Sequence, residues 1–88
     1  MLRLIKTHLE LARLLNTSEM LLLTPITYRI KDNPEIQETA VITNFGYCKN
    51  ELQGVSLGGF NFTMYELFKK YEWFDDVSNS WKPFGVEE

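Results

Sequence analysis

The residues of this chain that could carry nucleophilic chemistry are a glycine-flanked serine, the single histidine and the single cysteine. The stretch from Gly54 to Gly58 has the pattern G-x-S-x-G, which in a nucleophile elbow exposes a reactive serine on a strained strand-to-helix turn. That architecture needs a large parallel sheet and a histidine after the serine, whereas His8 precedes Ser56 in a chain of 88 residues. We therefore interpret the motif as structural, with its glycines and Gly59 favouring a bulge and a tight bend.

His8 and Cys48 do not make a convincing catalytic pair or metal site. A Cys–His dyad needs a third group that orients the base, and the sequence indicates none. A tetrahedral zinc site would need carboxylates or a second chain, since one histidine and one cysteine are too few ligands. His8 lies on the apolar side of a predicted helix, where a hydrogen-bonded boundary residue is the more common role. We predict no metal site here.

The acidic C-terminal region contains the spacing of a calcium-binding loop. The first, third, fifth and twelfth positions of such a loop would be Asp76, Ser78, Ser80 and Glu87. Trp81 occupies the sixth position, where the sharp turn of the loop requires glycine. Other carboxylates are numerous, but the sequence gives no reason to pair any two of them across a cleft. The sequence therefore predicts no cofactor and no enzymatic activity.

Length and composition are those of one small globular domain. The chain is 44% hydrophobic and 24% charged, with no low-complexity tract, which predicts a single compact domain over residues 1–88. The longest wholly apolar run, Met20 to Leu23, is far below the ~20 residues that cross a bilayer. We expect no membrane association, and a single cysteine favours a reducing, cytoplasmic compartment.

A predicted amphipathic helix from Leu2 to Asn16 begins the chain. At about 100° per residue, most of its apolar side chains fall on one half of the cylinder and its charges on the other. The charged half carries a small group of basic residues, namely Arg3, Lys6 and Arg13. This group is a candidate phosphate-binding patch, with an ordinary solvated helix surface as the alternative.

Three strands are predicted in the middle of the chain. Residues Ile26 to Lys31 alternate apolar and polar side chains, the period of two expected of a half-buried strand. A turn at Pro34 leads to a second strand from Ile36 to Phe45, and a third runs from about Leu52 to Leu57. These strands predict a small antiparallel sheet. The preceding segment, Glu19 to Pro25, is predicted to be extended and mostly buried.

The C-terminal third carries the best-marked helix and an aromatic hairpin. Thr63 and Glu66 form a capping box, and the helix that follows is expected to end near Tyr71. A terminal hairpin then brings Trp73 and Trp81 into cross-strand contact. The predicted fold class is α+β: an N-terminal amphipathic helix, a small antiparallel sheet of about three strands, a second short helix and a C-terminal aromatic hairpin.

Nine of the twelve aromatic residues lie between Phe60 and Phe84. In a small domain such a cluster is either core or, in part, an exposed platform for a partner. The platform interpretation predicts a partner-binding surface of aromatic anchors with a polar rim, formed by Trp73, Trp81, Phe84, Asp75, Asp76 and Lys82.

These features predict a non-catalytic protein-binding module. It would serve as an adaptor, subunit or inhibitor by docking the platform or a strand edge on another protein, or on a second copy as a homodimer. An accessory protein of a phage or mobile element would fit this plan. The alternative is a nucleic-acid-binding domain, because the helix, three strands and helix resemble the topology of double-stranded RNA-binding domains. Arg3, Lys6 and Arg13 would then bind phosphates, but a net charge of −3 argues against nucleic acid.

Overall fold

The protein is built on one long antiparallel sheet. A computed structural model describes residues 1–18 and 20–88. Its elements are β1 (Leu2–Arg3), α1 (His8–Leu14), β2 (Pro25–Ile30), β3 (Gln37–Cys48), β4 (Glu51–Leu57), β5 (Phe60–Thr63), α2 (Met64–Lys70), β6 (Tyr71–Asp75), β7 (Ser80–Pro83) and β8 (Val86–Glu87). Among the described residues, six strands form a sheet in the order β5-β4-β3-β2-β6-β7, and β1 pairs with β8 in a second sheet.

The prediction of a small sheet of about three strands is wrong. The expected strands are present as β2, β3 and β4, but β5 extends the sheet on one side and the β6–β7 hairpin on the other. The four residues of β5 are too few for their alternation to be distinctive, and they run directly into the cap of α2. β6 joins through long-range pairing that sets Tyr28 opposite Trp73. The expected order of one helix, three strands and one helix also fails, since four strands separate α1 from α2.

The N-terminal helix is shorter than predicted. α1 begins at His8 and not at Leu2, because Thr7 caps it. The Thr7 hydroxyl accepts from the amide of Glu10 at 3.1 Å, and the Glu10 carboxylate accepts from the amide of Thr7 at 3.3 Å. β1 instead pairs with β8 near the other end of the chain. This long-range pairing overrides the helical periodicity of the first residues.

Glu10 also binds Arg3 and so connects α1 to β1. Its carboxylate accepts two hydrogen bonds from the Arg3 guanidinium, one of them at 3.1 Å, and another from the amide of Lys6 at 2.9 Å. The hydrogen bond from Arg3 is the main cause that lowers the pKa of Glu10 from 4.5 to about 2. Both side chains are mostly covered, so water screens the pair only in part.

Glu10→Gln is expected to lower the free energy of unfolding by about 1–2 kcal/mol at neutral pH, because it removes the charge from the Arg3 pair and the helix cap. The pKa of Glu10 is lower in the folded state, so its stabilising effect is complete above pH 4.5 and is lost as the pH falls towards 2. Urea unfolding of both proteins across this pH range measures the effect. The difference between them should shrink in acid, and a pH-independent difference would refute the assignment. Glu51→Gln, at an exposed carboxylate, is the control.

The core lies on one face of the long sheet. Alternate side chains of the central strands point into it, and both helices contribute to it. Its buried apolar members are Ile5, Leu11, Ala12, Leu21, Ile26, Tyr28, Ile42, Leu52, Val55, Leu57, Met64, Leu67, Trp73 and Phe84. α2 packs against β4, β5 and β6. In the described part of the chain, neither helix is long and apolar enough to cross a membrane.

The segment before β2 forms a corner rather than the predicted extended run. Glu19 lies outside the described residues. After it, Leu21 and Leu23 adopt left-handed φ angles of 57° and 63°. Leu21 is buried, whereas Leu23 is 72% exposed and donates its amide to the carbonyl of Ile42 at 2.7 Å. The apolar run therefore contributes one core residue.

Candidate functional site

Two aromatic residues of the predicted platform belong to the core. Trp73 is 4% exposed and Phe84 is 1% exposed. The indole N–H of Trp73 donates to the carbonyl of Pro83 at 3.1 Å, which satisfies this polar group inside the domain. The sequence left open whether the aromatic cluster is core or an exposed platform, and Trp73 and Phe84 belong to the core.

Trp81 lies on the opposite face of the sheet. Its ring centroid is 5.3 Å from that of Phe74, its cross-strand neighbour, while Trp73 occupies the next position of the ladder. The Arg29 guanidinium lies 3.9 Å from the Trp81 ring centroid and donates to Glu72 at 2.7 Å. The predicted contact between the two tryptophans is therefore wrong, because successive ladder positions project to opposite faces.

The acidic residues of the predicted rim lie at the turn between β6 and β7. The carboxylate of Asp75 accepts from the amide of Val77 and the hydroxyl of Ser78, both at 3.0 Å. The Lys82 ammonium, 2.7 Å away, is the main cause of a lowered pKa for Asp75, which is 2% exposed. Asp76 is exposed. The turn thus uses Asp75 and Lys82 for its own structure, and Asp76 remains on the surface.

The basic residues proposed for phosphate contacts differ in their surroundings. The guanidinium of Arg3 binds the carboxylates of Glu10 and Glu88. Lys6 and Arg13 are exposed. One of the three positive charges is therefore neutralised by ion pairs within the domain.

Of the three residues considered for nucleophilic chemistry, Ser56 and His8 make contacts within the domain. Ser56 lies inside β4 and hydrogen bonds with Asn61 on β5, so it is not on a strand-to-helix turn. His8 Nδ1 is 2.7 Å from the hydroxyl of Tyr47, and its ring centroid is 4.5 Å from that of Phe45. Cys48 is free and exposed. Gly58 and Gly59 have positive φ angles of 57° and 91° in the connection from β4 to β5, in agreement with the tight bend that the sequence predicted there.

A concave site that the sequence analysis missed lies between β2, β5, α2 and β6. We call it the aromatic pocket and define it by Tyr28, Phe62, Tyr71, Glu38 and Glu66. Its volume is about 360 Å³. Sites for small molecules and side chains occupy roughly 300–1,000 Å³, so this pocket is at the small end of that range.

Three aromatic rings from three different strands form one wall of the pocket. The ring centroids of Phe62 and Tyr71 are 5.4 Å apart, those of Tyr28 and Phe62 5.8 Å, and those of Tyr28 and Tyr71 6.0 Å. The rings meet at angles of 60–77°, an edge-to-face geometry that aromatic pairs prefer. The pairing of β2 with β6 brings the two tyrosines together, and it is long-range.

Two carboxylates give the pocket a negative potential. Glu38 lies opposite Tyr28 in the β2–β3 ladder, and Glu66 lies in the first turn of α2. Burial is the main cause that raises the pKa of Tyr28, followed by the charge of Glu38. Burial also raises the pKa of Tyr71, to which the charges of Glu66 and Glu38 add. The phenols are therefore neutral hydroxyls at neutral pH.

Exposed apolar side chains surround the pocket. Ile30, Ile36 and Phe60 all line it and are 42%, 60% and 67% exposed. Isolated exposed apolar residues are common, but three around one concavity are typical of a binding site. One sequence signal could have indicated part of this site: the hairpin predicted at Pro34, whose register sets Glu38 beside Tyr28.

Comparison with known proteins identifies no relative of this chain. The chain matches no family model, no curated protein and no solved structure. What the protein does must therefore be argued from the geometry and chemistry of its own residues.

Proposed function

We propose that this chain is a non-catalytic protein-binding module, and that a segment of its partner docks at the aromatic pocket. The observation that carries the proposal is the cluster of exposed Ile30, Ile36 and Phe60 around a pocket with an aromatic wall. Docking would remove these side chains from water, and apolar burial is the main favourable contribution to most protein association. An adaptor, a subunit or an inhibitor would work in this way.

The edge of the long sheet offers the partner a second means of attachment. β5 is an edge strand whose described pairing is with β4. An extended peptide can add to such an edge by main-chain hydrogen bonds, while pockets beside the edge select its side chains. Because Phe60 and Phe62 belong to β5 and also line the pocket, one docked segment would use both features.

The lining of the pocket favours binding over catalysis. Its side chains are aromatic, aliphatic, amide or carboxylate, apart from Arg29, whose guanidinium is held by Glu72 and Trp81. The residues considered as nucleophiles, Ser56 and Cys48, do not line it. Carboxylates and phenols can act as nucleophiles, but burial raises the pKa of both pocket tyrosines, and no ion pair among the described residues orients Glu38 or Glu66. Such a surface offers shape and charge to a ligand rather than an activated nucleophile.

A cytoplasmic compartment is part of this proposal, and the state of the single cysteine supports it. Cys48 is exposed and free, and an exposed thiol is kept reduced most readily in the cytoplasm. We therefore place the module and its partner in the cytoplasm.

Phe60→Ala is expected to weaken partner binding about tenfold while leaving the domain folded, because Phe60 is 67% exposed and contributes to the pocket rim. The measurement is affinity capture of the tagged protein from lysate of its source, followed by quantification of each retained protein. At least one protein should be retained by the wild type at near-equal stoichiometry, with and without nuclease, and be depleted with Phe60→Ala.

Tyr65→Ala provides the matched control for this experiment. Tyr65 is another aromatic residue of similar exposure, 61%, and it lies outside the pocket lining. It should retain the same proteins as the wild type. If Phe60→Ala also retains them, the pocket is not the docking site. If retention disappears on nuclease treatment, the nucleic-acid alternative replaces this proposal.

A further inference from the structure

We propose that the partner group that enters the aromatic pocket is cationic, namely the side chain of a lysine or an arginine. This inference rests on the proposed function and names the chemistry of the anchor residue. It follows from the charges, the aromatic wall and the apolar rim, which all favour the same kind of side chain.

The carboxylates of the pocket lack a cationic partner within the domain. In residues 1–18 and 20–88, neither Glu38 nor Glu66 takes part in an ion pair. The nearby cations of the β2 region are held elsewhere: Arg29 donates to Glu72 at 2.7 Å, and Lys31 Nζ lies 3.5 Å from the carbonyl of Phe68. Lys70, four residues after Glu66 on α2, is exposed and takes part in no ion pair among the described residues. A positive charge in the pocket would therefore be attracted by two carboxylates that no ion pair of the described residues neutralises.

The aromatic wall adds to this attraction. The face of an aromatic ring carries negative charge density and attracts lysine and arginine, by about 0.5–2 kcal/mol per contact depending on how well water is excluded. Tyr28, Phe62 and Tyr71 supply three rings around one corner, with centroids 5.4–6.0 Å apart. The carboxylates that raise the pKa of both tyrosines act through the same negative potential that would stabilise a cation.

The rim matches the rest of such a side chain. Lysine and arginine carry aliphatic stems that pack on apolar surfaces while the charged end binds polar groups. Ile30, Ile36 and Phe60 are placed to contact a stem of this kind. An apolar anchor would satisfy the rim but would cost solvation of Glu38 and Glu66, and an acidic anchor would be repelled by them.

The test uses three blocked pentapeptides of sequence Gly-Ala-X-Ala-Gly, in which X is lysine, arginine or norleucine. Binding to the full chain is followed by the NMR shifts of the Phe62 and Tyr71 ring signals. We expect the lysine and arginine peptides to shift these signals saturably, with a Kd about tenfold lower than that of the norleucine peptide. The double variant Glu38→Gln/Glu66→Gln should reduce this preference to less than about twofold.

A charge-matched variant separates a local effect from the net charge of the protein. Glu35→Gln/Glu51→Gln removes the same number of charges from exposed positions outside the pocket, and it should keep the tenfold preference. Equal loss in both variants, equal binding of norleucine, or no saturable shift with the cationic peptides would each overturn the inference. The proposed function is judged separately, by whether Phe60→Ala depletes the captured partner. A cationic preference can thus fail while the protein-binding function stands.

Discussion

Trp73→Ala is expected to lower the free energy of unfolding by about 3–5 kcal/mol, the usual cost of truncating a buried tryptophan. Trp73 is 4% exposed at the centre of β6, opposite Tyr28 of β2, and its indole N–H donates to Pro83. The change would open a cavity beside the strand that connects the hairpin to the rest of the sheet. Since small domains are stable by only about 5–15 kcal/mol, this loss removes a large share of the free energy of unfolding.

Trp81→Ala is the matched control, one ladder position away on the opposite face of the sheet. Trp81 is half-buried and contacts Phe74 and Arg29, so its removal should cost about 1–2 kcal/mol. Urea unfolding followed by circular dichroism measures both variants. Equal losses of unfolding free energy would contradict the difference in burial between the two faces of the sheet. A smaller loss for Trp73→Ala than for Trp81→Ala would refute the place of Trp73 in the core.

Gly54→Ala is expected to destabilise the domain by about 2–3 kcal/mol, because the new methyl group has no room. A Cβ at Gly54 would lie 2.6 Å from the carbonyl oxygen of Phe62, a main-chain atom that cannot rotate away. Relief of this clash requires β5 to move from β4. Because β5 carries Phe60 and Phe62, the same substitution should weaken partner capture.

Gly46→Ala controls for this substitution within the same sheet. Gly46 lies directly opposite Gly54 in the β3–β4 ladder, and a Cβ there would meet no atom within 4 Å. Its φ is not in the left-handed region, so alanine should change stability by less than about 1 kcal/mol. Similar unfolding midpoints for the two variants would contradict the close approach of β5. Full stability of Gly54→Ala with lost partner capture would place its effect in the pocket alone.

The variants at Gly46 and Gly54 also test whether the aromatic pocket depends on the position of β5. No single continuous segment of the chain could form the pocket, because Tyr28, Phe62 and Tyr71 come from β2, β5 and β6. Its shape therefore depends on the order and register of the strands. A substitution that moves one strand should alter binding without changing any residue that contacts the partner.

Local signals in the sequence determined several elements correctly. The alternation of residues 26–31 identifies β2, and Thr63 caps α2 by accepting from the amide of Glu66 at 3.0 Å, which is one half of the predicted capping box. α2 ends before Tyr71, as expected from its apolar stripe. A connection between the second and third predicted strands is also present, as a turn at Lys49 and Asn50 with φ angles of 52° and 68°. These features depend on interactions among neighbours within a few positions, which a sequence displays directly.

The tertiary structure alone decided the size of the sheet and the place of the candidate site. The sequence leaves open whether Trp73, Trp81 and Phe84 form an exposed platform or part of the core. Alternation along a strand assigns side chains to the two faces of the sheet, but it does not show which face other elements cover. Pairing of β2 with β6 decided the question for Trp73, which lies opposite the buried Tyr28, and the same pairing brought Tyr71 close to Tyr28. Contacts between residues distant in the chain form when cooperative burial outweighs the entropy of closing the intervening loops, and no local pattern encodes that balance.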